Sequence, residues 1–112
     1  MDMHFNLALD NSELIKNAMF EEIDKAMKTI GIKAEGYAKK NLTDKGAVDT
    51  GRLRNSVTHA NDKNTVYIGT NVEYAPYIEM GTSKMDARPY LGPAITEHAD
   101  EYKEIIENEL KR

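Results

Sequence analysis

Apolar residues recur at steps of three and four between residues 12 and 41. Leu14, Ile15, Ala18, Met19, Ile23, Ala26, Met27, Ile30, Ala34, Tyr37 and Ala38 form one stripe, the spacing of an amphipathic helix. Lys16, Glu21, Glu22, Asp24, Lys25, Lys28 and Lys39 fill the remaining positions. Gly31 and Gly36 weaken the second half by roughly 1 kcal/mol each relative to alanine. Ahead of the helix, Phe5, Leu7 and Leu9 alternate with Asn6 and Ala8, so the first 11 residues read as extended. Asn11-Ser12 then supplies a helix N-cap.

After a loop rich in turn formers (Asp44, Gly46, Asp49, Gly51), the period changes to two. Leu53, Val57 and His59 are separated by polar residues, although Asn55 breaks the alternation. Asn61-Asp62-Lys63-Asn64 is a turn signal, and Val66 and Ile68 face one side with Tyr67 on the other, which predicts a β-hairpin. A third strand is expected over 73–80, at an edge because Pro76 cannot donate to a ladder. Residues 81–88 have no apolar period and predict an exposed mobile loop. Pro93 suits the first turn of a helix, and Ala94, Ile95, Ala99, Tyr102, Ile105, Ile106 and Leu110 form its apolar stripe.

Together these elements predict a single α+β domain over 1–112. It has a long helix at about 12–41, an antiparallel sheet of three to four strands at about 52–80, and a loop at 81–88. A C-terminal helix at about 93–111 packs on the sheet. The first helix is long for its domain. About thirty residues span roughly 45 Å, against a sphere about 34 Å across for a compact chain of this size. Either the helix bends near Gly31 or Gly36, or the fold is elongated, or the overhanging stripe packs on another chain.

Composition narrows the function classes. The chain has 112 residues, no cysteine and a formal net charge of -4. That excludes a disulfide scaffold, a cysteine-based zinc site and a thiol nucleophile. No apolar run approaches a membrane span, and the start at Met1-Asp2-Met3 has no secretory pattern; a small soluble intracellular domain is expected. The net charge hides an asymmetry. Lys33, Lys39, Lys40, Lys45, Arg52, Arg54 and Lys63 cluster in the middle, while Glu97, Asp100, Glu101, Glu104, Glu107 and Glu109 line the last helix. A basic middle and an acidic end are what head-to-tail contact between copies requires; solvated faces that merely differ in sign give the same pattern.

Candidate chemistry is sparse. His4, His59 and His98 fall in separate elements with no partner three or four residues away, so no metal site and no cofactor are expected. There is no phosphate loop, dinucleotide fingerprint or nucleophile elbow. A small Mg²⁺-dependent nuclease would need Asp49, Glu73 and Glu79 to converge, which their spacing does not demand. A DNA-contacting module would use the basic middle.

Three segments are more particular: Val48-Asp49-Thr50-Gly51-Arg52-Leu53-Arg54-Asn55-Ser56; Val66-Tyr67-Ile68-Gly69-Thr70 followed by Tyr74-Ala75-Pro76-Tyr77-Ile78-Glu79-Met80-Gly81-Thr82; and Ala87-Arg88-Pro89-Tyr90-Leu91-Gly92-Pro93-Ala94. In this order, between a long helix and a short one, they resemble the HK97 gp10-like family of tailed-phage tail components and head–tail joining or neck proteins. The resemblance covers residues 12–110. It implies a non-enzymatic structural protein of the virion head–tail junction, assembled in the bacterial host cytoplasm and acting through protein contacts. The implied partners are copies of itself in a ring, neighbouring head-completion, connector and tail proteins, and transiently phage DNA, with no membrane. A tail-terminator-type ring protein is the alternative. On the matched positions, Asp49, Thr50, Gly51, Arg52 and Leu53 would turn into the first strand. Tyr74, Ala75, Tyr77, Glu79 and Gly81 would form the third strand and its exit, and Pro89 and Pro93 would fix the start of the last helix. Tyrosine and arginine are the usual interface anchors. Arg52, Arg54, Tyr77, Glu79 and Arg88 are therefore the expected contact residues, with Asp49, Gly51, Gly81, Pro89 and Pro93 as structural turns. The loop at 82–87 is expected to order on docking.

Overall fold

The computed structural model describes residues 5–10, 20–45, 50–62 and 65–110. The elements in order are β1 (Phe5–Asp10), α1 (Phe20–Lys45), α2 (Thr50–Ser56), β2 (Thr58–Asn61), β3 (Thr65–Thr70), α3 (Ala75–Met80), α4 (Leu91–Thr96) and α5 (Ala99–Leu110). This is an α+β fold. The three strands are antiparallel in the order β1-β3-β2. Leu7 lies opposite Ile68, which lies opposite His59; Leu9, Val66 and Asn61 form the next row. These rows share a face because partners across a ladder point the same way. Val66 and Ile68 are buried there, and Leu7 and Leu9 pack partly against them.

The long helix lies against β2 and β3. Its line Ile23, Ala26, Met27, Ile30, Ala34, Ala38 and Leu42 is at most 5% exposed. The described stripe is therefore covered within the chain, and it does not overhang. The molecule accommodates the length by shape: it measures 49 × 25 × 22 Å, long enough for a helix of about 39 Å. The helix also continues to Lys45, past the expected end at Asn41, because Leu42 extends the buried line. Residues 12–19 of the expected helix lie outside the described residues.

Two of the expected strands are helices. Leu53 and Val57 are both buried, but over 50–56 the chain forms α2. A spacing of four is even, so one pair of buried residues fits both a strand and a helix. Gly51 accordingly sits inside α2, not in a turn leading into a strand. Over 73–80 the buried pair is Ala75 and Ile78, a spacing of three that only a helix satisfies. Pro76 occupies the first turn of α3, where its missing N–H leaves no bond unmade. The single helix expected over 93–111 is two, α4 and α5, separated at Glu97-His98. α4 reaches the sheet at β1, and α5 lies along α1.

Two fully buried tyrosines join these helices to the rest. The Tyr102 hydroxyl donates to the Ala94 carbonyl (2.5 Å), tying α5 to α4; the Tyr90 hydroxyl reaches the Ala75 carbonyl at 3.5 Å. Burial pushes both phenols well above the usual tyrosine range. No buried side-chain polar atom among the described residues lacks a hydrogen-bond partner.

Polar contacts then fasten α1 on both sides. Toward the sheet, His59 Nδ1 lies 2.9 Å from Glu35 Oε1, and Lys39 donates to Glu35 Oε2 at 3.0 Å. Burial disfavours the Glu35 carboxylate, but the hydrogen bonds from His59 and Lys39 outweigh it and hold the group below the usual glutamate range. A depressed value in the folded state contributes stability that is complete above the ordinary value and lost as pH falls through the depressed one. Wild-type Tm should therefore drop below about pH 4 more steeply than that of Glu35→Gln, in a thermal melt series.

The two glycines of α1 differ in their surroundings. A Cβ on Gly31 would stand 2.5 Å from His59 Cδ2, so glycine lets β2 approach the helix. A Cβ on Gly36 would meet nothing within 4 Å. Gly36→Ala should stabilise the fold by about 0.5–1 kcal/mol through helix propensity. Gly31→Ala gains the same propensity but must displace the imidazole from Glu35, for a net loss of about 1 kcal/mol. Urea midpoints of the two variants should move in opposite directions.

Candidate assembly surface

Among the described residues, no three histidine, aspartate or glutamate side chains gather as a metal site would need. The carboxylates of the nuclease alternative are engaged separately. Glu73 accepts from Arg52, with Nη2 to Oε2 at 3.1 Å, and Glu79 accepts from backbone. Asp49 lies outside the described residues.

The α3 helix and the loop after it form the most distinctive surface. Residues 75–80 start at the N-cap Tyr74 and stop at Gly81, whose φ of 77° and ψ of 176° end the helix. Ala75 and Ile78 turn inward, which turns Tyr77 and Met80 outward. These two are 57% and 66% exposed, one helical turn apart on the same face. Two large apolar side chains exposed side by side make this a candidate contact surface.

The segment at 81–88 is exposed as expected, but it is hydrogen-bonded rather than irregular. Gly81 N donates to Tyr77 O at 2.8 Å, and Thr82 and Met85 exchange backbone bonds at 2.8 and 3.3 Å. Lys84 N donates to Thr82 Oγ1. Arg88 N donates to Ile78 O at 2.7 Å, returning the chain to α3. Glu79 closes the loop. Its Oε1 accepts from Tyr90 N (3.0 Å) and Leu91 N (2.9 Å), and its Oε2 from Gly92 N (3.0 Å). These amides begin α4 and have no partner within that helix, so the carboxylate caps it. Gly92 admits this approach, since a Cβ there would sit 3.2 Å from Glu79 Oε2.

Of the expected contact residues, Tyr77 stands at the centre of this surface. Glu79 lies beneath it and holds α3 to α4. Arg88 lies at the returning end of the loop, half-buried. Arg52 belongs to a neighbouring cluster: it is bidentate to Glu73, and its guanidinium lies 5.3 Å from the centre of the Tyr74 ring. Arg54 is exposed in the last turn of α2. Pro89 immediately precedes the start of α4, and Pro93 lies in its first turn. Met80 was not among the expected residues. A helical reading of 75–80 would have put it beside Tyr77.

Charge is distributed differently from the expectation of contact between copies. Much of it meets within one chain. Lys33 pairs with Glu101 at 3.2 Å and Lys25 with Glu109 at 3.8 Å, so the basic helix and the acidic helix lie together. Tyr37 donates to Glu101 and stacks on His98, with ring centroids 3.5 Å apart and planes 2° from parallel. That hydrogen bond holds the Glu101 carboxyl below its usual range and the Tyr37 phenol above its own. Lys39 is likewise committed to Glu35, which leaves a DNA-contacting role less basic surface than the sequence alone implies.

The family model described as "Bacteriophage HK97-gp10, putative tail-component" matches residues 12–81. The match spans α1 to α3, including the exposed Tyr77 and Met80. No curated protein and no solved structure matches the chain significantly.

Proposed function

Since the chain belongs to the HK97 gp10-like family of phage tail components, we propose that it serves at the head–tail junction as a neck or tail-completion component. It is a phage tail-related structural protein, and its work is protein–protein assembly. Soluble subunits would associate in a ring with one another and dock on connector and tail proteins. The observation that supports this most is the Tyr77–Met80 surface on α3. Its supporting loop is closed by Glu79 and by backbone bonds, so little conformational entropy is lost when a partner covers it. Arg88, at the base of the loop, is placed to contribute a charged contact at the rim.

Complementation of a phage lacking the gene tests this. Tyr77→Ala and Met80→Asp alter exposed side chains and should leave Tm nearly unchanged. Each should cost about 2 kcal/mol in docking if it is an anchor, and virion yield should collapse while full heads and separate tails accumulate. Wild-type yield from the double variant would remove the surface from the proposal. Tails of uncontrolled length, in place of unjoined heads and tails, would instead favour the tail-terminator alternative.

A further inference from the structure

Cysteine and tryptophan are absent from the chain, which leaves the methionine thioether as the side chain that a peroxide attacks most readily. Three methionines, Met27, Met80 and Met85, lie among the described residues. Met27 is fully buried in α1, and Met85 is half-buried against the core. Met80 is 66% exposed. Oxidation follows exposure, so the three should react in the order Met80, Met85, Met27.

Met80 is the last residue of α3, and the backbone there is held without its side chain. Gly81 N donates to Tyr77 O, and Arg88 N donates to Ile78 O. Ala75 and Ile78 supply the buried side of the helix. Altering the Met80 thioether therefore removes no buried contact and leaves the fold in place. What changes is the surface. A sulfoxide is polar and carries an oxygen that accepts hydrogen bonds. Covering such a group with an apolar partner, where no donor meets the oxygen, is unfavourable. Tyr77 stays one turn away, but it then borders a polar group instead of an apolar one.

We infer that Met80 is a modification site of the undocked subunit, and that its oxidation to the sulfoxide by a hydroperoxide blocks docking through the Tyr77–Met80 surface. The inference rests on the docking role proposed for that surface. A docked partner covers the sulfur, so the modification acts on subunits not yet assembled. In the reaction a sulfur lone pair attacks one peroxide oxygen, and the S–O bond forms as the O–O bond breaks. Sulfur gives two electrons to the peroxide. The departing hydroxide takes the proton of the transferred oxygen, so hydrogen peroxide ends as the sulfoxide oxygen and one water. Methionine sulfoxide reductases reverse the change; a dithiol supplies the two electrons and ends as a disulfide, and the oxygen leaves as water.

The purified chain, exposed briefly to hydrogen peroxide and quenched with catalase, tests this in two steps. Peptide mapping by mass spectrometry should show Met80 sulfoxide forming at least ~tenfold faster than Met27 sulfoxide, with circular dichroism and Tm unchanged. The treated protein is then added to an extract of cells infected by a phage lacking the gene. Virion yield should fall at least ~tenfold relative to untreated protein, and methionine sulfoxide reductase with dithiothreitol should restore it. Met80→Leu carries no sulfur at this position, so peroxide should not move its yield from that of its own untreated sample. Met80 oxidised no faster than Met27, an undiminished yield from oxidised wild type, or an equal peroxide loss in Met80→Leu would each overturn the inference. Full yield from Met80→Asp defeats the docking role and the inference with it. Loss in Met80→Asp beside full yield from oxidised wild type defeats the inference alone.

Discussion

Replacing Gly81 by alanine should destabilise the protein by about 3 kcal/mol, among the larger effects of any single methyl group. Two independent costs combine. The backbone at Gly81 has φ 77° and ψ 176°, a region open to glycine and strained for any residue with a Cβ. A Cβ placed there would also stand 2.7 Å from Ala87 N and 2.9 Å from Met85 O. Both are backbone atoms of the hydrogen-bonded loop, so no side-chain rotation relieves the contact. The alanine variant must release either the Thr82–Met85 pairing or the turn that ends α3. Differential scanning calorimetry should show Tm lower by roughly 10–15 °C. An unchanged Tm would mean that the loop does not close on Gly81.

Glu79→Ala should cost about 2–3 kcal/mol, because three backbone amides lose a charged acceptor at once. Tyr90 N, Leu91 N and Gly92 N would turn to water or remain unbonded, and α4 would lose its attachment to α3. Glu79→Gln should recover part of this. A carboxamide oxygen in the place of Oε1 can still accept from Tyr90 and Leu91, while the bond from Gly92 is lost along with the charge. Chemical denaturation should therefore rank wild type, glutamine and alanine in that order. Amide exchange at 90–92 should accelerate in the same order. Equal loss in both variants would mean that the side chain acts through charge alone. In virion assembly, both should mimic Tyr77→Ala, because Glu79 holds the helix that displays Tyr77.

How legible these features are in the sequence depends on distance along the chain. The long helix and the β2–β3 hairpin are local patterns, and both are present among the described residues, the hairpin with its first strand shortened to Thr58–Asn61. The expected α+β class and the family resemblance also hold. Over 52–57 the sequence reading fails because Leu53 and Val57 lie four apart, a step shared by both periods. Over 73–80 it fails for a different reason. Pro76 fits an edge strand, whereas Ala75 and Ile78 at a step of three, together with a proline in a first turn, describe a helix start. That signal competes with the β pattern that precedes it in the chain.

The Tyr77–Met80 surface is harder to read. Tyr77 was expected in it, and it is exposed. Glu79 looks the same in sequence whether it faces solvent or caps a helix that begins twelve residues later; only the return of the chain at Arg88 brings those amides to its oxygens. Gly31 and Gly36 are indistinguishable as helix-weakening residues until His59 is placed beside one of them.

By itself, then, the sequence determined what local periodicity and composition can determine: a cysteine-free chain of α+β class, a long amphipathic helix, a hairpin, and a basic segment followed by an acidic one. The tertiary structure decided which of these surfaces remain outside. Among the described residues it buried the line of α1 from Ile23 to Leu42, brought Lys33 and Lys25 to Glu101 and Glu109 within the same chain, and left Tyr77, Met80 and Ile32 in water. The reason is physical. Periodicity fixes which residues share a face, whereas which face is covered depends on contacts between residues far apart in the chain.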